Sequence, residues 1–389
     1  MEKIQKDMIA LLKSRIENTE CILSKNPDWK AILELSKKAQ ILPIIYDAIK
    51  CAKYTIPNQI DQEYLQYFVM CANVDVNQDY QIQRLIDAFN ENCIDFSLLK
   101  GASIKKLYGN TFFRCMGDID ILIRTEQYDK IKNIMLELQY TQQQETVHEL
   151  IWTKTPYVCI ELHKMLIPEY NKDFFAYYGN GWSKMNRYDK CMFKMKPEDE
   201  FIYLFTHFSK HYRDGGIGIR HLMDLRVFMK NYSLDEHYII DELKMLHLDR
   251  FYKNVIDTIN AWFCDGKETQ ETAIITNTIF QSGSYGNAEK ADCANALRVS
   301  RRYSNIFKAK VSYITKLIFL PLALMKKKYP VLDNCAYLLP LFWCVRWIDI
   351  LIHSRERIKI QLDRAKKIRK KEVLSYENEI EAVGLDYYF

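Results

Sequence analysis

Between residues 95 and 164 an otherwise helix-patterned chain switches to short apolar runs of strand length, and this switch limits the possible folds more than any other feature. IDFSLLK (94–100) is such a run, broken by Gly101, and ASIKKLYG (102–109) has helical spacing that stops at Gly109. DIDILIR (118–124) reads as a second strand, and TEQYDKIKNIMLEL (125–138) as a helix with Thr125 as its N-cap. VHELIWTK (147–154) and YVCIELHK (157–164) alternate as strands do, and a turn at Pro156 joins them into a hairpin. Strand, helix, strand, helix and hairpin make a small α/β module in which chemistry is to be sought.

The flanks read as helix. Only 12 Gly and 9 Pro punctuate 389 residues, and apolar residues recur at three- and four-residue spacing through most of the chain. The expected fold is α+β, mostly helical, with a small mixed β-sheet core between helical N-terminal and C-terminal regions. The expected divisions are an N-terminal helical region (1–94), the α/β core (95–196), a helical domain closing the cleft (197–282) and a C-terminal helical region (283–389). Ile82, Leu85, Ile86 and Phe89 line one face of the last helix of the first region. The third contains helices at Glu198–Tyr212, Ile217–Lys230, Leu234–Leu246, Arg250–Phe263 and Glu268–Phe280, followed by the break SGSYGNAEK (282–290).

Two apolar stretches, Val311–Met325 and Cys335–Ile352, are too short or too charged to cross a membrane, since they hold Lys316 and Arg346 with Asp349; they are expected to be buried helices. Net charge is only +5, so contact with an anionic surface has to come from a local patch. The patch available is RERIKIQLDRAKKIRKK (355–371), read first as a solvated helix and second as an anionic-surface contact. The 11 cysteines are scattered without CxxC or zinc-like spacing, which suits a reduced, cytoplasmic protein. The opening MEKIQKDMIALLKSRIENTE is an amphipathic helix lacking the apolar centre of an export signal.

Side chains two apart on a strand point the same way, so Asp118 and Asp120 share one face while Ile119, Ile121 and Ile123 take the other. Two carboxylates forced together repel unless water or a cation compensates them, and a hard divalent ion is the natural partner. Cys159, Glu161 and His163 share a face of the last hairpin strand, so Glu161 becomes a third carboxylate if the strands are neighbours. A lone DxD is often a solvated turn; the Gly101 break, the helix start after it and Arg114 give it context. A helix start offers free N–H groups to a phosphate, and Gly101 lets backbone approach closely. His207 and His211 have the i,i+4 spacing of zinc ligands but lack an HExxH glutamate, so a packed or substrate-facing pair is the preferred reading.

The segment LLKGASIKKLYGNTFFRCMGDIDILI (98–123) resembles the signature of the DNA polymerase β-like nucleotidyltransferase superfamily: glycine and a small residue, a spacer, then Dx[DE] between apolar residues. More narrowly it resembles the bacterial uncharacterised nucleotidyltransferases related to AbiEii-type toxins. CIELHKML (159–166) is similar to that family's strand with the third acid, and THFSKHYRDGGIGIRHLMDLRVF (206–228) to its downstream His/Lys and Asp-Leu helices. The resemblance implies transfer of a nucleoside monophosphate from an NTP to an acceptor hydroxyl or phosphate, with release of pyrophosphate. It implies Mg²⁺, with Mn²⁺ as a substitute, held by Asp118, Asp120 and Glu161, with Glu161 alternatively serving as base. Lys100, Gly101, Ala102, Ser103 and Arg114 are the expected nucleotide contacts, joined by Lys210 and His211 as the cleft closes. The acceptor is open: a small molecule such as a sugar, a peptide, a tRNA end or a protein. Where the superfamily shows Gly-Gly or Gly-Ser this chain has Gly101-Ala102-Ser103, which motivates a second expectation, a catalytically decayed nucleotide-binding or scaffold protein. The 355–371 run motivates a third, a toxin-like modifier of RNA or protein.

Overall fold

A computed structural model describes residues 1–156, 158–283, 286–303, 315, 318–353 and 370–386. The chain divides into two units, one formed by Met1–Tyr212, Gly216–Gly286 and the end of the chain from Val383, the other by Arg213–Gly215 with Asn287–Ala382.

The first unit opens with four helices, α1 (Lys3–Glu17), α2 (Trp29–Lys38), α3 (Leu42–Cys51) and α4 (Asn58–Glu91). No Gly or Pro interrupts 58–91, so α4 runs unbroken for 34 residues behind Pro57. Then come β1 (Phe96–Leu98), α5 (Lys100–Ile104), β2 (Ile119–Ile123), α6 (Tyr128–Glu137), β3 (Thr141–Glu145), β4 (Glu149–Lys154) and β5 (Val158–His163). After α7 (Lys172–Tyr178) the hairpin β6 (Asn186–Asp189) and β7 (Met192–Lys194) returns to the sheet. Helices α8 (Pro197–Arg213), α9 (Ile219–Asn231), α10 (Glu236–Met245), α11 (Asp249–Phe263) and α12 (Gln270–Ser282) follow, close to the bounds expected from periodicity.

The seven strands form one mixed sheet in the order β3-β4-β5-β2-β1-β7-β6, larger than the small sheet expected. β2 pairs antiparallel with β1 and parallel with β5, and β4 pairs antiparallel with β5. Ile119, Ile121 and Ile123 of β2, Ile160 and Leu162 of β5 and Trp152 of β4 bury one face against Ile82, Leu85 and Phe89 of α4 and Ile131 and Met135 of α6. This is the apolar face that strand alternation assigned, and its burial leaves the opposite face of β2 and β5 to polar groups. The polar side of α4 fixes the loop ahead of β2: Gln78 Nε2 donates to Met116 O at 3.1 Å, and Asp75 accepts from Lys105 and Thr111, each at 2.5 Å.

Several local expectations need correction. The 94–100 strand is only three residues long, because Lys100 already starts α5. The helix expected over 102–109 ends at Ile104 and continues as a 3₁₀ turn to Tyr108, stopping as expected at Gly109, whose φ of +81° excludes most side chains. Thr125 opens a 3₁₀ turn, and α6 begins at Tyr128 behind Gln127 with no side-chain cap. β3, β6 and β7 add to the strands that the pattern predicts: TQQQE and NRYD are largely exposed and carry no apolar alternation.

The second unit contains α13 (Ala288–Tyr303), α14 (Leu322–Lys328), α15 (Leu339–His353) and α16 (Lys370–Ala382), and α13 packs on α16 with Lys290 on Glu379. The stretch Cys335–Ile352 is not the buried helix expected: Leu341 and Ile348 of α15 are each 59% exposed. Val311–Met325 lies partly, and 355–369 wholly, outside the described residues. Among the described residues no helix is long and apolar enough to cross a membrane.

Candidate active site

The polar face of the sheet opens into a cavity of about 450 Å³ within the first unit. β2 and β5 run parallel with Asp120 opposite Glu161, so the two carboxyl groups stand side by side over the cavity. β2 starts one residue after Asp118, which lines the same cavity from the end of the preceding loop. His163 stands two residues beyond Glu161 on the same face of β5. The ligand atoms of Asp120, Glu161 and His163 converge within 4.8 Å, a grouping that admits one metal ion; Asp118 stands outside that group.

Asp120 is almost wholly buried, and two nitrogens reach the same oxygen. Lys100 Nζ and His163 Nε2 each lie 2.6 Å from its Oδ1. The ionised carboxylate only accepts, so the imidazole proton sits on Nε2. Burial works against the Asp120 charge, but Lys100 and His163 outweigh it and hold the carboxyl below its ordinary range. Burial likewise opposes the Lys100 ammonium, and the Asp120 charge holds its pKa up. Burial, with Lys100 beside it, pushes His163 down, so it stays neutral at neutral pH.

Glu161 moves the other way. Burial, then the charges of Asp118 and Asp120, push its carboxyl up to about 8. The part of this shift that comes from Asp118 and Asp120 reflects negative charge in excess of its compensation. A hard cation with oxygen ligands relieves that repulsion, so the donor set fits a divalent ion.

The far side of the cavity is basic. Arg114 is buried and donates from Nε to Asp224 Oδ1 at 2.7 Å and from Nη1 to Cys115 O at 2.8 Å, while Tyr108 donates to the same Asp224 oxygen at 2.6 Å. Arg220, from α9, donates to Cys115 O at 2.9 Å and to Gln40. Burial, with the Arg114 charge beside it, pushes Arg220 down to about 10. His207 and His211 on α8 place their Nε2 atoms 3.0 Å apart. Burial pushes both well below the ordinary imidazole range, so one neutral ring donates to the other. Neither belongs to a metal-binding group among the described residues.

The residues expected to grip nucleotide divide in two. Lys100, Gly101, Arg114, Lys210 and His211 line the cavity. Ala102 and Ser103 do not: Ala102 packs into the core, and the Ser103 hydroxyl donates to Glu200 of α8. Gly101 is needed for space rather than conformation, since an added Cβ would lie 3.0 Å from the Met116 side chain and 3.2 Å from Arg114 Nη1. Residues that the sequence reading did not assign also line the site: His163, His148 and Glu149, Arg220 and His221. The signal for His163 was its shared face with Glu161; Glu149 follows once the hairpin register pairs it with His163.

A family model described as "Uncharacterised nucleotidyltransferase" matches residues 25–264, a span that contains every site residue above. No curated protein and no solved structure matches the chain.

Proposed function

Because the chain belongs to the uncharacterised nucleotidyltransferase family, we propose that it is a Mg²⁺-dependent enzyme that transfers an NMP from an NTP to an acceptor and releases pyrophosphate. The observation that carries this reading is the pairing of Asp120 with Glu161 across β2 and β5, with Glu161 pushed up to about 8 by burial and then by its acidic neighbours. Asp120 and Glu161 would hold the ion, with Asp118 beside them and His163 able to join once its proton has moved from Nε2, and Mn²⁺ would substitute. Bound there, a divalent ion supplies charge neutralisation for the phosphates and a more acidic attacking hydroxyl.

The chain's own groups do the rest. Arg114, fixed by Asp224, which Tyr108 holds in turn, presents a preorganised guanidinium that has little left to reorganise when phosphate arrives. Lys100, Lys210 and Arg220 add positive charge on the same side, and Gly101 keeps the approach clear. Alternatively to holding the ion, Glu161 in its ionised form would serve as the base that takes the proton of the attacking hydroxyl. Eleven free cysteine thiols suit a cytoplasmic setting, and the 98–123 motif suits a bacterial enzyme sharing ancestry with AbiEii-type toxins.

The test incubates the protein with each α-labelled NTP, Mg²⁺ and cell extract. Label transfer with pyrophosphate release supports the reading; neither product with any NTP contradicts it. A second reading, a nucleotide binder without turnover, is favoured by one observation: Lys100 and His163 already occupy Asp120 Oδ1. Calorimetry that detects NTP binding in a protein releasing no pyrophosphate would select it.

A further inference from the structure

The cavity is polarised along the sheet order. Lys100 and Gly101 follow β1, Asp120 lies on β2, Glu161 on β5 and Glu149 on β4, and these strands are consecutive neighbours. With strands spaced about 4.8 Å apart, β4 stands roughly 10 Å from β2, on the side away from Lys100. Arg114 belongs to the Lys100 side, with its Nη1 against Gly101.

The two ends differ in charge and in what they lack. Arg220 is 7% exposed, lines the cavity beside Arg114, and its buried Nε has no hydrogen-bond partner among the described residues. A buried guanidinium next to another cation, with a donor left over, is a place for an anion. At the opposite end the antiparallel register sets Glu149 across from His163 and Ile151 across from Glu161, so Glu149 shares the cavity face with both acids of β5 and β2. His148 Nε2 stands 3.3 Å from Glu149 Oε1 and holds that carboxyl below its ordinary range. The basic side chains of this end are committed: His148 to Glu149, His163 to Asp120, and Lys164 to Glu145 at 3.0 Å. The rings of His148 and Tyr170, 6.2 Å apart and edge to face, line the cavity together with Glu149.

In-line displacement at phosphorus sets the incoming oxygen opposite the leaving pyrophosphate. Resting on the nucleotidyl-transfer reading, we infer that pyrophosphate leaves towards Arg114 and Arg220, and that the acceptor enters over β5 and β4 as a small hydroxyl-bearing molecule, neutral or amine-bearing, held by Glu149. The acceptor oxygen bonds to the α-phosphorus and the bond from that phosphorus to the bridging oxygen breaks. The electron pair leaves on pyrophosphate, and the hydroxyl proton passes to Glu161. A phosphorylated acceptor or a nucleic-acid end would bring its negative charge beside Glu149 and Glu161 and is disfavoured there. An ammonium or a polyol hydroxyl donates to the same carboxylate.

The test uses the full chain, Mg²⁺, α-labelled NTPs and matched small acceptors that share a skeleton and differ in charge. Suitable sets are glucose, glucosamine and glucose phosphate, and inositol, an aminocyclitol and inositol phosphate. Transfer to water in the same reactions reports whether nucleotidyl transfer occurs at all. The expected result is labelled product with neutral and amine-bearing members, and a kcat/KM at least about tenfold lower for the phosphorylated member, a discrimination of one decade being within reach of a single charged contact. In Glu149→Gln the preference for the amine over its neutral counterpart should collapse towards unity, mainly through the acceptor KM, and Glu149→Lys should admit the phosphorylated member. A preference for phosphorylated acceptors or transfer RNA, an amine preference that survives Glu149→Gln, or transfer to water alone overturns the acceptor assignment and leaves nucleotidyl transfer standing. Absence of transfer even to water removes the transfer reading, and the inference falls with it.

Discussion

Asp120 and Glu161 occupy the same rung of the parallel β2–β5 ladder, and their carboxyl groups are driven apart in acidity: Asp120 is held below the usual range and Glu161 is pushed up to about 8. The difference comes from partners. Lys100 and His163 both reach Asp120, while Glu161 receives burial and the charges of Asp118 and Asp120. One site therefore holds an ionised carboxylate beside one that is largely protonated until a cation arrives.

Asp120→Asn removes the anion on which two buried basic groups converge. Folding stability should fall by about 3–5 kcal/mol, the usual cost of breaking a buried pair from one side. Mg²⁺ affinity and nucleotidyl transfer should fall together, transfer by roughly a hundredfold or more. Denaturant unfolding, metal titration and label transfer measure the three; retained transfer in a folded variant would place the chemistry elsewhere.

Glu161 sets a pH dependence whose sign follows from its raised pKa. Its contribution to the metal-free protein is fully present below the ordinary carboxyl value of 4.5 and is lost as pH rises through about 8. The melting temperature of wild type minus that of Glu161→Gln should therefore drop between pH 5 and pH 9 by the margin that Mg²⁺ restores, and Mg²⁺ affinity should climb over the same range. A flat difference curve with and without Mg²⁺ would mean that Glu161 is not crowded by its acidic neighbours.

Arg114 and Asp224 form a buried pair that also holds Tyr108. Arg114→Met or Asp224→Asn alone should each cost about 3–5 kcal/mol. The double variant should cost clearly less than their sum, because neither charge is then left buried and unpaired. Strict additivity in a double-mutant cycle would show that the pair does not act as a unit.

Gly101→Ala puts a methyl 3.0 Å from the Met116 side chain and 3.2 Å from Arg114 Nη1. Stability should fall by about 1–3 kcal/mol as these groups shift. The displaced guanidinium should raise the KM for NTP more than it lowers kcat. Unfolding curves and steady-state kinetics separate the two effects, and an unaltered KM would remove Arg114 from the phosphate side.

The acidic strand was legible because its code is local. Period-two alternation in DIDILI, the Gly101 break and the hairpin at Pro156 fix which face Asp120 and Glu161 share, and the observed ladder joins them. Strand order carried the rest and is not written locally: Lys100 meets Asp120 only because β1 lies beside β2, and Glu149 joins the site only because β4 flanks β5. The motif marks Ser103 as a phosphate contact, yet its hydroxyl is on Glu200, 97 residues along the chain. The edge strands TQQQE and NRYD were invisible, since an exposed strand held by backbone pairing needs no apolar pattern. The apolar α15 shows the converse: a run that reads as core leaves Leu341 and Ile348 exposed.

The most direct test is anomalous diffraction from crystals soaked with Mn²⁺ and a non-hydrolysable NTP. The expected result is a Mn²⁺ peak within roughly 2–2.5 Å of carboxylate oxygens of both Asp120 and Glu161, with Lys100 turned from Asp120 towards the phosphates. Manganese bound elsewhere, or nucleotide bound while Lys100 and His163 still close over Asp120, would contradict it.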